Sequence, residues 1–116
     1  MKRQTIALFV LLAVLALPGA AAVNTVLSAV TTTGASAAQD TGNAKYVRIH
    51  VFSAAGSTAT VAIEQSTDSS VWYTVATITD PSATGELWSV AAVAYTRVNV
   101  TARAAGTITA KVEVQK

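Results

Sequence analysis

YVRIHVF, residues 46–52, has the strict alternation of side chains that decides the fold class. Val47, Ile49 and Val51 fall on one face, and the aromatic and charged side chains fall on the other. Successive side chains of a strand point to opposite faces, so this pattern predicts a half-buried β-strand. Similar segments, bounded by Gly, Pro, Asp or Ser, lie at residues 23–33, 58–64, 72–78, 86–91, 95–102 and 107–114. The chain is therefore predicted to be all-β, a single antiparallel β-sandwich of about seven to eight short strands.

Short turns rich in Ala and Gly separate some of these segments. Residues 54–57 (AAGS) and 104–106 (AAG) each lie between two alternating segments. Loops of two to five residues are typical of β-hairpins, so we expect both pairs of flanking strands to form hairpins. The small and polar run at residues 34–43 predicts a loop or a short edge excursion.

An internal repeat relates these two predicted hairpins. A shift of 49 residues places Tyr46, Arg48, Val51, Thr58, Thr60 and Glu64 on Tyr95, Arg97, Val100, Thr107, Thr109 and Glu113. Two explanations stay open: two similar hairpins of one sandwich have converged in composition, or one hairpin has been duplicated. Both predict a Tyr next to an Arg on the exposed face of each hairpin.

The N-terminal segment has the order of a secretory signal. A basic start is followed by an apolar run at residues 6–17, a Pro-Gly break and three alanines. That order predicts a signal peptide over residues 1–22, with Ala20 and Ala22 as its cleavage signal. A membrane-spanning helix needs about 20 apolar residues without such a break. We therefore expect an exported domain at residues 23–116, located outside the cell, at the cell surface or in a virion.

Charge and cysteine content restrict the classes of function. Two of the eight basic residues lie in the signal, which leaves six basic against six acidic side chains. A nucleic-acid binder is expected to keep a basic patch, so we predict no nucleic-acid partner. The absence of cysteine excludes disulfides and thiol catalysis. Charged residues make up 12% of the chain, below the roughly 25% typical of globular domains. Such a surface is poorly protected against edge-to-edge pairing, which favours a homo-oligomer or a subunit of a capsid or cell-surface lattice.

Residues able to carry catalysis are present without a catalytic arrangement. His50 has no carboxylate near it in the sequence, and no serine lies in a Gly-x-Ser-x-Gly elbow. Asp68 and Asp80 fall in turns, where Asp commonly bonds the backbone. We therefore predict that the protein is not an enzyme and has no catalytic residue, cofactor or metal site.

The aromatic residues offer candidates for binding. Trp72 shares a predicted strand face with Ala76 and Ile78, which predicts a core position. Exposed aromatic side chains can stack on sugar rings or anchor a protein contact. The candidate surface or ligand contacts are Tyr46, Arg48, Tyr73, Trp88, Tyr95 and Arg97. For Tyr73 and Trp88, a core or rim position is the alternative.

Short motifs resemble those of a known group of proteins. Residues 64–72 (EQSTDSSVW) resemble the E-G-S-N-D-G-x-x-W turn of small β-sandwich structural proteins of tailed phages and prophages. Residues 95–101 (YTRVNVT) and 105–109 (AGTIT) resemble the ending of the same proteins. Gln65 and Ser69 stand where that pattern has glycines. The resemblance implies a virion-accessory role, such as a capsid decoration or head-fibre subunit.

Two other interpretations stay open. The same S-x-D-x-x-x-W turn and R-V-N-V strand are similar to the second half of discoidin-type carbohydrate-binding domains, which implies a glycan- or surface-binding module. A retained helix over residues 1–22 would instead make a pilin-like filament subunit, with membrane contact only through that segment. The favoured hypothesis is a non-enzymatic exported structural protein that works by self-association or by binding to a lattice.

Overall fold

A computed structural model describes residues 22–115 of the chain. Within that range the regular structure consists of nine β-strands. They are β1 (Ala22–Val30), β2 (Gly34–Ala35), β3 (Gln39–Asp40), β4 (Tyr46–Phe52), β5 (Thr58–Ser66), β6 (Tyr73–Thr79), β7 (Glu86–Ala91), β8 (Tyr95–Ala105) and β9 (Ile108–Gln115). The predicted signal peptide and Ala20 lie outside the described residues, apart from Ala22 at the start of β1. The predicted loop at residues 34–43 contains the two-residue strands β2 and β3.

The strands form two antiparallel sheets that share one core. The first sheet has the order β1-β9-β4-β7, and the second has the order β2-β8-β5-β6, with β3 also paired to β8. Most of the inward side chains are β-branched, which suits a pleated and closely packed surface. The core comprises Leu27, Val47, Ile49, Val51, Ala59, Val61, Ile63, Ile78, Val98, Val100, Ile108, Ala110, Val112 and Val114. The predicted all-β sandwich is confirmed.

The two predicted hairpins are wrong. β4 pairs with β7 and β9, whereas the next strand, β5, pairs with β6 and β8 in the other sheet. β8 and β9 are likewise divided between the two sheets. Each short loop therefore carries the chain across the sandwich instead of folding it back on its own sheet. In the first of these loops the Ser53 hydroxyl donates to the Gly56 carbonyl oxygen at 2.9 Å. A hairpin and a crossing between the sheets give the same period-two alternation in the sequence. The alternation depends on which face of a strand is buried and not on which strand it pairs with.

The register of the strand pairs follows the internal repeat. Tyr46 on β4 lies opposite Gln115 on β9, and Tyr95 on β8 lies opposite Ser66 on β5. The 49-residue shift, applied forwards to Tyr46 and backwards to Gln115, gives Tyr95 and Ser66, so the second pair repeats the first. The same exchange converts Arg48 opposite Glu113 into Arg97 opposite Glu64. The two repeated units, residues 46–66 and 95–115, thus pair with each other in equivalent register, as two copies related by a two-fold axis do.

The predicted core position of Trp72 is also wrong. Ala76 of β6 lies opposite Ile63, but the next pair along joins Thr74 to Glu64, so the ladder skips Val75. Such a β-bulge adds one residue to a strand and shifts the alternation beyond it. Residues before the bulge therefore move out of phase with Ala76 and Ile78, and Trp72 takes a partly buried position outside the core.

Candidate functional site

Two arginine–glutamate pairs occupy equivalent positions on the outer faces of the two sheets. Arg97 of β8 contacts Glu64 of β5, with 2.8 Å between Nε and Oε1. Arg48 of β4 approaches Glu113 of β9, with 3.5 Å between Nη1 and Oε1. The 49-residue shift relates the two pairs. Differences between them therefore reflect their neighbours more than their backbone setting.

The pair on the second sheet, here called the closed pair, is satisfied within the protein. The Glu64 carboxylate also accepts hydrogen bonds from the Asn99 amide, at 3.4 Å and 3.3 Å. The Arg97 guanidinium stacks on the Trp72 ring at 4.1 Å from its centroid, a distance at which cation–π attraction is effective. The bulge in β6 thus gives Trp72 a structural function as the cover of this ion pair. The side chains of Arg97 and Glu64 are only 24% and 12% exposed.

The pair on the first sheet, here called the open pair, leaves part of its carboxylate unsatisfied. The 3.5 Å separation from Arg48 is an ion-pair distance, but Oε1 of Glu113 makes no hydrogen bond although it is shielded from solvent. One Arg48 nitrogen donates instead to the Tyr46 hydroxyl at 3.1 Å. Buried polar atoms are normally hydrogen-bonded, so a shielded carboxylate oxygen that has a loose ion pair and no hydrogen bond calls for an explanation.

A shallow depression surrounds the open pair. Its volume is about 190 Å³, and it is lined by Val23, Arg48, His50, Leu87, Lys111 and Glu113, which we call the open site. His50 lies opposite Lys111 in the strand ladder, and the His50 and Phe52 rings are 4.8 Å apart. The Lys111 ammonium lies 5.9 Å above the Phe52 ring. The open site therefore combines two cations, an imidazole and a carboxylate with apolar ring and rim surfaces.

Contacts with the loop before β7 hold the open site in place. His50 Nε2 donates to the Thr84 carbonyl oxygen at 2.9 Å, which anchors the imidazole to the loop before β7. Gly85 in that loop has φ +69°, and a Cβ there would collide with the carbonyl oxygen of Val51 and with Phe52. Only glycine allows so close an approach, so the loop and β4 are fixed relative to each other.

A second surface of interest is the outer edge of β6. Residues 71–79 (VWYTVATIT), which comprise β6 and the two residues before it and are here called the β6 edge, contain no charged residue and no proline. Val71, Tyr73 and Val75 are 74%, 48% and 37% exposed. Natural sheet edges are usually blunted by charges, proline or irregular pairing. Apart from the bulge at Val75, this edge has none of those protections.

The turn that leads into the β6 edge is organised by Asp68. Its Oδ1 accepts hydrogen bonds from the backbone N–H groups of Ser70 and Val71, at 2.8 Å and 3.0 Å, and from the Ser66 hydroxyl at 3.0 Å. These bonds, led by those from Val71 and Ser70, lower the pKa of the Asp68 carboxyl below its ordinary value of 3.8. Asp68 thus serves the backbone, as predicted from its place in a turn.

The structure divides the six predicted contact residues among four places. Tyr46 and Arg48 lie together on the outer face of the first sheet. Tyr95 and Arg97 lie on β8 in the second sheet, where Arg97 belongs to the closed pair. Tyr73 lies on the β6 edge. The remaining residue, Trp88, lies opposite Ile49 and packs against the core. They therefore do not form a single site.

Several residues of the open site were missed as candidates in the sequence. Lys111 and Glu113 lie on the polar face of the last predicted strand, and Leu87 and Val23 come from strands far away in the chain. The repeat already placed Glu113 on Glu64, which was the available signal. It could not identify a site, because the partner of each strand was unknown.

Across residues 22–115, no group of three or more His, Asp or Glu side chains is placed to hold a metal ion. In that part of the chain no helix has the length and apolar character needed to cross a membrane.

The fold is shared with proteins from prophages. No family model matches the chain, and no curated protein matches it. The crystal structure of the SPBc2 prophage-derived protein YomS is similar over 86% of this chain and 96% of that one, with a TM-score of 0.68 and 12% identity. The PBSX exported protein XepA is similar over 84% of this chain, with a TM-score of 0.55 and 20% identity, and this chain spans 37% of its length. The resemblance to phage and prophage β-sandwich proteins is therefore confirmed at the level of the fold.

Proposed function

We propose that this protein is a non-enzymatic, exported and phage-associated structural subunit that associates with itself through the β6 edge. The observation that carries the proposal is the uncharged nine-residue β6 edge, with three apolar side chains exposed along it. The shared fold with a prophage-derived protein and with a PBSX exported protein supports the phage-associated and exported setting. A capsid or cell-surface lattice would be the larger assembly in which such a subunit works.

Pairing of two β6 strands is the simplest way to use this edge. The N–H and C=O groups that β6 turns away from β5 have no ladder partner within the second sheet. An antiparallel β6–β6 contact would satisfy them and join two second sheets across a two-fold axis. Because the β6 edge carries no charge, the two copies would meet without electrostatic repulsion.

The other sheet edges are less suited to such pairing. β1 is interrupted by two register shifts in its ladder with β9, which disturb a regular edge. The edge beside β8 is broken into β2 and β3, each of two residues. β7 is regular but carries the charge of Glu86. These comparisons favour β6 as the interface.

The proposal is tested by the oligomeric state of the purified protein. We expect a concentration-dependent dimer or larger oligomer in light scattering and sedimentation. Val75→Lys adds a charge to the β6 edge and should shift the protein to the monomer. Thr101→Lys is the matched control, because it adds the same charge to an exposed position of the interior strand β8.

Two results would contradict the proposal. The first is a wild-type protein that remains monomeric up to about 200 µM, since association should respond to concentration by mass action. The second is an oligomer that Val75→Lys and Thr101→Lys leave equally intact.

A further inference from the structure

We propose that the open site binds an acidic saccharide, that is, a hydroxylated sugar ring that carries a carboxylate. The inference does not depend on self-association, because the open site lies on the first sheet and the β6 edge belongs to the second. It rests on the comparison of the open pair with its equivalent, the closed pair, within the same molecule.

The two pairs differ in the residues that surround them. The shift that relates them places His50 on Asn99 and Lys111 on Ala62, which are opposite one another in the respective ladders. Asn99 donates to both oxygens of Glu64, whereas His50 is directed to the Thr84 carbonyl oxygen. His50 thus occupies the position in the open pair that Asn99 has in the closed pair, but it makes no hydrogen bond to the glutamate.

The cover of the arginine differs as well. Trp72 lies against Arg97 in the closed pair. In the open pair the ring beside Arg48 belongs to its own strand neighbour Tyr46, at 5.3 Å, and the Arg48 side chain is 45% exposed. A depression is left where the second sheet has a tryptophan. One pair of the repeat is therefore a closed structural contact, while the other has a half-exposed arginine beside an open depression.

The groups in the open site fit the chemistry of an acidic sugar. Lys111 and Arg48 provide positive charge for a carboxylate, and Arg can bind it with two parallel hydrogen bonds. Glu113 lines the depression with a side chain that is 27% exposed, so its carboxylate can accept a hydrogen bond from a sugar hydroxyl. The His50 ring and the exposed side chains of Val23 and Leu87 provide apolar surface in the depression, on which a sugar ring can lie.

Size and charge narrow the ligand further. Sites for drug-sized molecules have volumes of about 300–1,000 Å³, so a depression of about 190 Å³ suits a single ring. A neutral sugar would form no ion pair with Lys111 or with the exposed part of Arg48. A simple anion without hydroxyl groups would offer no hydrogen-bond donor to the Glu113 carboxylate.

The test is a titration of the purified full-length protein, followed by amide chemical shifts in two-dimensional NMR. The probes are D-glucuronate, D-glucose and glycerol phosphate, which separate the effects of charge, hydroxyl groups and ring. We expect glucuronate to shift the amides of β4 and β9 around the open site with millimolar affinity. Glucose and glycerol phosphate should each bind at least about fivefold more weakly, a loss of about 1 kcal/mol.

Variants assign the binding to the residues named. Lys111→Gln should weaken glucuronate binding about fivefold or more. Lys45→Gln removes the same charge from an exposed residue outside the open site and should leave the affinity unchanged. Far-ultraviolet circular dichroism of each variant shows that the fold is retained, so a loss of binding is a loss of the site.

Three outcomes would overturn the inference. Equal affinity for glucose would show that Lys111 and Arg48 do not contribute to binding. Equal or tighter binding of glycerol phosphate would remove the role of the ring surface. Glucuronate shifts that are absent, or that Lys111→Gln does not weaken, would show that the open site is not the binding site.

Discussion

Replacing the two arginines of the repeat should have very different consequences for stability. The perturbations are Arg97→Met in the closed pair and Arg48→Met in the open pair, each of which keeps an unbranched side chain and removes the charge. Breaking a fully buried ion pair costs about 3–5 kcal/mol, because the remaining charge is left without a partner. Exposed pairs contribute about 0–1 kcal/mol.

The structure places the two pairs at different points between those limits. Arg97 and Glu64 are 24% and 12% exposed, and Asn99 stays beside Glu64 after the substitution. The loss of the stack on Trp72 adds about 0.5–1 kcal/mol. We expect a cost of about 2–3 kcal/mol for Arg97→Met. For Arg48→Met, at 45% exposure and 3.5 Å from Glu113, we expect less than about 1 kcal/mol.

The assay is urea denaturation at one fixed protein concentration, followed by tryptophan fluorescence. A difference of about 2 kcal/mol corresponds to a shift of roughly 0.7–2 M in the urea midpoint, because the slope m is about 1–3 kcal/mol/M for small proteins. A double-mutant cycle with Glu64→Gln should give a coupling energy of about 1–2 kcal/mol with Arg97→Met. Equal costs for Arg97→Met and Arg48→Met, within about 0.5 kcal/mol, would refute the distinction between a closed and an open pair.

Two further predictions concern the loops. Gly85→Ala should destabilise the protein by at least about 2 kcal/mol, because the new Cβ collides with Val51 and the left-handed backbone itself disfavours alanine. Gly56→Ala has a similar positive φ but open space around it, so a chemical-denaturation cost above about 2 kcal/mol there would contradict this reasoning. The lowered pKa of Asp68 means that its carboxylate stabilises the fold above pH 3.8, and that this contribution is lost as the pH falls through the folded-state pKa. Asp68→Asn should therefore flatten the fall in Tm between about pH 5 and about pH 2, and an unchanged slope would contradict the assignment.

The strands and their buried faces could be predicted from the sequence, but the strand partners could not. The alternation in β4 and β8 identified Val47, Ile49 and Val98 as inward residues, because burial acts on each strand separately. Whether the loop between β4 and β5 makes a hairpin or crosses the sandwich depends on contacts with β8 and β9, which are distant in the chain. A local pattern contains no information on that choice.

The candidate contacts show the same limit in more detail. A single extra residue at Val75 moved Trp72 from its predicted core face to the outer face, where it covers Arg97. The repeat predicted that Tyr and Arg would recur on exposed faces, and it also aligned Glu64 with Glu113. It could not indicate that each glutamate would lie opposite the arginine of the other half, because that required the cross-pairing of the two units.

Self-association through the β6 edge is tested most directly by amide hydrogen exchange of residues 73–79 at two protein concentrations. The N–H groups of β6 that face away from β5 should exchange slowly at about 200 µM and quickly at about 5 µM, because only the associated state pairs them. Amides of the interior strand β8 provide the reference and should exchange slowly at both concentrations. Rates for β6 that are the same at both concentrations, in a protein that does form oligomers, would show that another surface joins the copies.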